Sequence, residues 1–287
     1  MPLTPARLAA ATLILLALSG LIAGVLIVFV GVYNVSALRQ HTAPMYALID
    51  ISLRSSISRH ARHVEAPDLS SLEWRSEGVR LYAEHCLKCH GAPGTSPASF
   101  SFSMTPVPAA IVEAARERSA GELFWVIEQG IKMSGMPAWK YRLSDREIWT
   151  IVAFIEQVPH LSVVDYRRLV VAAGLPQPTP RPRVLGAKAT VAGSAEKGHR
   201  VIQQYGCISC HTIPGVTGAI ADVGPSLAGI ASRTFIAGLL PNTRDNMIRW
   251  LHDPQGIDPQ STMPSQGISE QEATHIAAYL ATLTADR

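Results

Sequence analysis

Every cysteine in this 287-residue chain falls in one of two copies of a single pentapeptide pattern, Cys86-Leu87-Lys88-Cys89-His90 and Cys207-Ile208-Ser209-Cys210-His211. A disulfide framework gives no reason for a histidine to follow both pairs. A zinc ribbon expects roughly 15–20 residues between its cysteine pairs, whereas 117 lie between Cys89 and Cys207. Cys-x-x-Cys-His is the attachment pattern of c-type haem. Two thiols one helical turn apart can add to the two vinyl groups of one porphyrin, and the adjacent imidazole then lies beneath the iron. The expectation is two covalently bound haems, attached through Cys86, Cys89, Cys207 and Cys210, with His90 and His211 as iron ligands.

The opposite face of each iron needs a second ligand. Met136 stands in Ile131-Lys132-Met133-Ser134-Gly135-Met136-Pro137-Ala138-Trp139, and Met263 in Ser261-Thr262-Met263-Pro264. A proline fixes its own φ and keeps the preceding residue extended, which suits a loop that holds a thioether toward a metal. Met136 lies 46 residues after His90 and Met263 lies 52 after His211, so the two copies assign them similar roles. Met133 is the alternative in the first copy. Met247 is the alternative in the second, although its place in a helical stretch with Ile248 and Leu251 suits a core residue. Met104 reads as a loop or core residue able to pack on a porphyrin. His85 reads as a solvated histidine, and the remaining histidines lack paired metal-ligand spacing.

The repeat extends to whole domains. Leu72 to Tyr82 and Ala195 to Tyr205 are matching first helices, carrying Gly78 and Gly198 where glycine costs about 1 kcal/mol against alanine; such glycines mark a close helix crossing. Each copy ends in a matching helix after Ser144 or Ser269, with Glu147 or Glu272 completing a capping box and Leu143 or Ile268 preceding the cap as a staple. Ser119 to Gln129 and Thr243 to Leu251 read as middle helices. Strand-like alternation is nearly absent.

From Leu8 to Leu38 no residue is charged. The apolar run from Leu8 to Tyr33 would reach roughly 39 Å as a helix, against a hydrocarbon core of ~30 Å. A cleavable signal peptide is the competing reading, with Val35-Ser36-Ala37 as a cleavage site, but its apolar core needs only about 7–15 residues; an uncleaved anchor is favoured. Charged residues are 16% of the chain and the net charge is +3. The basic excess lies in connecting stretches such as 161–190, with five Lys or Arg against one acid, while both larger blocks are slightly acidic. Nucleic acid, which needs a concentrated basic face, is therefore excluded as a partner. The expected organisation is an anchor over 1–38, a juxtamembrane helix or linker over 39–66, a first domain over 67–160, a proline-rich basic linker over 161–190 and a second domain over 191–287. Within 46–64, Tyr46, Ile49, Leu53, Ile57, Ala61 and Val64 recur at helical spacing, with arginines among the polar positions. That helix either packs on the first domain or meets anionic headgroups or a membrane-embedded partner.

In these motifs the chain resembles the class I c-type cytochromes, present as two tandem domains behind a membrane anchor. The resemblance covers about 67–160 and 191–285. It implies an all-α fold, with one N-terminal transmembrane helix followed by two cytochrome c-like helical domains. Val223-Gly224-Pro225-Ser226-Leu227-Ala228-Gly229 is similar to the family's loop whose proline packs near the proximal histidine; the first copy has Gly91-Ala92-Pro93-Gly94 followed by Phe100 and Phe102 instead. The family attaches haem outside the cytoplasmic membrane, which implies a bacterial inner-membrane protein with both haem domains in the periplasm. Positive charge near the anchor points the other way, but long domains translocate largely regardless of flanking charge. With both axial positions filled, each iron passes single electrons and has no room for substrate. The expected function is a non-enzymatic electron carrier serving a redox protein complex, foremost a haem-copper terminal oxidase. The alternatives are an electron-accepting subunit of a membrane dehydrogenase and, less favoured, a dihaem peroxidase.

Overall fold

A computed structural model describes residues 4–70, 72–177 and 192–285. The chain divides into two compact units, Met1–Arg39 and Gln40–Arg287. The first holds α1, Pro5–Phe29, whose side chains are all exposed. Twenty-five residues make a helix of roughly 38 Å, and α1 is long and apolar enough to cross a membrane. It stops four residues short of the expected Tyr33; Gly31 follows at a φ of 69°.

The second unit is helical. It comprises α2 (Ala43–Ala61), α3 (Leu72–His85), α4 (Leu87–His90), α5 (Ser99–Phe102), α6 (Ile111–Glu117), α7 (Ala120–Gln129), α8 (Asp145–Ile155) and α9 (Val163–Ala172), then α10 (Ala195–Gln204), α11 (Arg244–His252), α12 (Pro254–Ile257) and α13 (Glu270–Leu280). Among the described residues the only paired strands are β1 (Phe235–Ile236) and β2 (Leu240–Pro241), an antiparallel hairpin. It is too short to leave an alternating pattern in the sequence.

Two cores form, one around the α3–α8 crossing and one around the α10–α13 crossing. Glycine decides both. A Cβ on Gly78 would stand 2.3 Å from the carbonyl oxygen of Thr150, and one on Gly198 would stand 2.0 Å from that of His275. Backbone meets backbone there, which a larger side chain forbids. The final helices begin where their capping boxes direct: the Ser144 and Ser269 hydroxyls each accept from the N–H three residues on, and Glu147 and Glu272 reach back. Leu143 and Ile268 are buried beneath those caps. The middle helices α7 and α11 start on Ser119 and Thr243 as N-caps.

One segment differs from expectation, and one open alternative is resolved. Residues 163–172, inside the stretch read as linker, form α9 on the first core. Ser162 caps it, and Val163, Tyr166 and Val170 are buried at a spacing of one and two turns; the nearby Arg167, Arg168 and prolines masked that short periodicity. The Pro178, Pro180 and Pro182 part of the linker lies outside the described residues. The 46–64 helix forms as α2 and packs on α7, burying Ile57 and Ala61 and stacking His60 on Trp125.

Candidate functional site

Each Cys-x-x-Cys-His motif is wound into one helical turn directly after the first helix of its core. In the first, Cys86 receives its place from the end of α3 through its N–H to the Tyr82 carbonyl at 2.8 Å, and the N–H groups of Cys89 and His90 both return to the Cys86 carbonyl at 3.0 Å. Tyr82, fully buried, donates its hydroxyl to the Gly91 carbonyl at 2.6 Å and ties the end of the motif to the core. The second motif is a single 3-10 turn over Cys207–Ser209, with the Cys210 and His211 N–H groups donating to Cys207 at 3.2 and 2.9 Å. Both motifs thus bring two sulfurs and an imidazole to one short stretch of surface.

No disulfide joins any of the four cysteines. Burial pushes Cys86 and Cys207 up to about 12 and Cys210 to about 11, and raises Cys89. Among the described residues no group of three His, Cys, Asp or Glu gathers to hold a metal ion.

The imidazoles carry the clearest chemical information. The Nδ1 of His211 lies 2.8 Å from the Pro225 carbonyl, and that of His90 lies 2.9 Å from the Ala109 carbonyl. A carbonyl only accepts, so Nδ1 bears the proton in each ring and Nε2 keeps its lone pair. That arrangement fixes the tautomer of a metal-ligating histidine and raises its basicity. Burial lowers the pKa of both rings, the carbonyl contacts partly opposing it, so both are held toward the neutral form that a metal-ligating imidazole needs.

In the second copy the expected loop supplies the wall. Gly224 presses on the ring so closely that a Cβ would lie 2.4 Å from His211 Cε1, and its N–H donates to the Cys210 carbonyl at 2.7 Å. In the first copy, which lacks that loop, Pro106-Val107-Pro108-Ala109 does the same work from a different place. Ala109 was not among the residues singled out in the sequence; the paired prolines were the signal that could have found it.

The methionine loops resemble one another beyond Met-Pro. In both, the methionine N–H donates to the hydroxyl of the serine two residues earlier, Ser134 to Met136 at 3.2 Å and Ser261 to Met263 at 3.3 Å. Met136 and Met263 are partly buried against their respective cores. Met133, by contrast, is 94% exposed at a φ of 60°. Met247 is buried within the second core. The sulfur of Met104 lies against Gly135, beside Met136, where a Cβ would come within 2.8 Å. His85 is not solvated as expected: its ring packs on Trp139 at 4.8 Å and its side chain is 21% exposed.

The two histidine pockets share one seam. Phe102, buried, lies on Gly206, the residue before Cys207, where a Cβ would be 2.5 Å from its ring. Five residues on, Val107 packs against the second core, and two residues further the Ala109 carbonyl accepts a hydrogen bond from His90 Nδ1. Arg116 donates to the Asp222 carbonyl at 3.0 Å, two residues before Gly224, and Gln255 donates to the Gly94 carbonyl at 3.0 Å. Residues 102–116 therefore touch both histidine pockets.

Residues 75–155 match the family model described as cytochrome c oxidase, cbb3-type, subunit III, and residues 195–284 match the model for cytochrome c. The chain is 36% identical over 90 residues to cytochrome c oxidase subunit 2 of Alkalihalophilus pseudofirmus, covering 31% of this chain and 25% of that one. It is 31% identical over 96 residues to cytochrome c oxidase subunit 2 of Bacillus subtilis, covering 32% and 27%. The chain thus spans about a quarter of the length of the curated relatives it matches. No solved structure matches.

Proposed function

We propose that this chain, which carries two cytochrome c-type domains in tandem, binds one haem c in each and passes single electrons between a respiratory donor and a terminal oxidase. Cytochrome c domains are haem-binding electron carriers, and the N-terminal apolar helix fits a single-pass anchor. The proposed attachment residues are Cys86 and Cys89, and Cys207 and Cys210; the proposed axial pairs are His90 with Met136 and His211 with Met263. Bound there, a haem supplies an iron that alternates between ferric and ferrous states, its potential raised by His/Met ligation. The protein supplies orientation. The Ala109 and Pro225 carbonyls hold the two imidazoles, and the serine-braced loops hold the thioethers.

The observation that carries the reading is the matched pair of Nδ1–carbonyl contacts at motifs that share one interdomain seam. Two carriers docked through Phe102, Val107 and Arg116 suit electron exchange within the chain. An oxidase is the favoured acceptor because one of the two matched family models and both relatives bear oxidase-subunit names. On this reading the haem domains face the periplasm of a bacterial inner membrane.

The test is redox titration of the full-length, haem-loaded protein, followed by rapid reduction in the presence of detergent-solubilised terminal oxidase. Two one-electron waves and oxidase-dependent reoxidation are expected. A single haem would overturn the assignment of one haem to each domain, and two haems that no oxidase reoxidises while a membrane dehydrogenase reduces them would overturn the assignment of the acceptor.

A further inference from the structure

The packing of α2 on the first domain leaves a defined face outward. At 100° per residue, Tyr46, Leu53, Ile57 and Ala61 form the inward stripe, with Ile57 and Ala61 buried. The helix cannot roll, because Arg54 pairs with Asp50 at 2.9 Å on α2 and with Glu117 at 3.0 Å on α6, and His60 lies on Trp125. The opposite stripe carries Leu48, Ile51, Ser55, Ser58, Arg59 and Arg62, all exposed. Leu48 and Ile51 are 61% and 63% exposed, and Met45 beside them 39%. Over the C-terminal half runs an open groove of about 590 Å³ lined by Arg54, Ser55, Ser58, Arg59 and Arg62. Arg54 is engaged by its two carboxylates; Arg59 and Arg62 have no carboxylate partner among the described residues.

We propose that this outward face of α2 lies on the surface of the bilayer and takes anionic phospholipid headgroups, with Arg59 and Arg62 on the phosphates and Met45, Leu48 and Ile51 in the interfacial zone. Three observations point to lipid. An apolar row and a cationic row share one helix face, the pattern of helices that rest in the membrane interface. Guanidinium groups flanked by serine hydroxyls form a donor set suited to phosphate oxygens. The chain also supplies the proximity: only residues 30–42 separate α1 from α2, a reach of at most about 45 Å when fully extended. With the surface so near, a weak interaction is converted into stable docking by effective concentration. The consequence is a first haem domain held at a fixed height and attitude on the membrane, presenting its remaining surface to redox partners. The inference rests on α1 as an anchor and is independent of which complex accepts the electrons.

The experiment uses the full-length, haem-loaded protein in nanodiscs of phosphatidylcholine alone or with phosphatidylglycerol. Leu48→Cys or Ser55→Cys, each labelled with an environment-sensitive fluorophore, reports the face, and Tyr141→Cys, at a site 88% exposed, gives the aqueous reference. Haem absorbance confirms that each variant is loaded. In phosphatidylglycerol discs the labels at 48 and 55 should shift to the blue and lose most of their quenching by aqueous iodide. The double variant Arg59→Glu/Arg62→Glu should weaken that protection more than about tenfold, since each arginine at an anionic surface contributes roughly a fivefold factor. Equal quenching at 48, 55 and 141 in both lipids would overturn the proposal and leave the face to a protein partner. Protection that ignores both lipid charge and charge reversal would overturn headgroup recognition.

Discussion

Replacing Gly198 by alanine separates two physical effects of opposite sign. In an isolated helix the change is favourable by about 1 kcal/mol, because alanine is the better helix former. In this fold the new Cβ would stand 2.0 Å from the His275 carbonyl oxygen, 2.7 Å from its carbon and 2.8 Å from the Tyr279 Cβ. None of these atoms is the free end of a flexible side chain. Restoring ordinary contact requires α10 and α13 to part by roughly 1 Å, and a gap of that size forfeits a quarter to a half of each dispersion contact along the crossing. Ile202, Ala273 and Ile276, all nearly inaccessible to solvent, would lose their fit. Overpacking of this kind costs roughly 1–3 kcal/mol, and a clash with backbone belongs at the upper end. The net expectation is a loss of about 2 kcal/mol, equivalent to a fall of roughly 10 °C in the melting temperature of a domain this size. Thermal denaturation of the haem-loaded protein, followed by circular dichroism and the Soret band, measures it. A melting temperature equal to or above that of the parent would refute the backbone-contact account of the crossing.

Met136→Ala and Met263→Ala should each convert one haem to a high-spin, ligand-accepting form while leaving the other unchanged, as read by absorbance and electron paramagnetic resonance; a persistent low-spin spectrum rejects that methionine. Gly224→Ala drives a methyl group into the His211 ring, so the potential of the second haem should move and that of the first should not, with a spectroelectrochemical titration as the check. Phe102→Ala removes a buried ring from the seam at Gly206 and should slow electron exchange between the domains without altering either haem spectrum; an unchanged exchange rate after flash reduction would exclude Phe102 from the coupling. Burial opposes ionisation of Glu272, but hydrogen bonds from Ser269 and the Tyr205 hydroxyl outweigh it and hold the carboxyl below its usual value. Its stabilising contribution is therefore present above the ordinary glutamate value of about 4.3 and lost as pH falls through the lowered folded-state value. Denaturant midpoints measured from pH 7 to pH 3 should drop less steeply for Glu272→Gln than for the parent.

What the amino-acid sequence determined alone was everything carried by a short window of side chains. The Cys-x-x-Cys-His turns, the Ser/Glu caps on α8 and α13, and the apolar length of α1 each depend on groups a few residues apart. Gly78 and Gly198 were legible as crossings because glycine inside a helix is costly without a neighbour that requires it. Tertiary structure decided what arrives from a distance. Pro137 singles out Met136 in the sequence, but only the fold of the loop over its core turned Met133 out to solvent and left Met136 partly buried. The acceptor for His90 is a backbone carbonyl, and since every residue has one, nothing in the identity of Ala109 distinguishes it. Helix α9 was hidden because three buried positions over ten residues make a weak period beside prolines and arginines. The docking of the two domains includes Phe102 against a bare Gly206, a fit of shape between surfaces that no local pattern encodes.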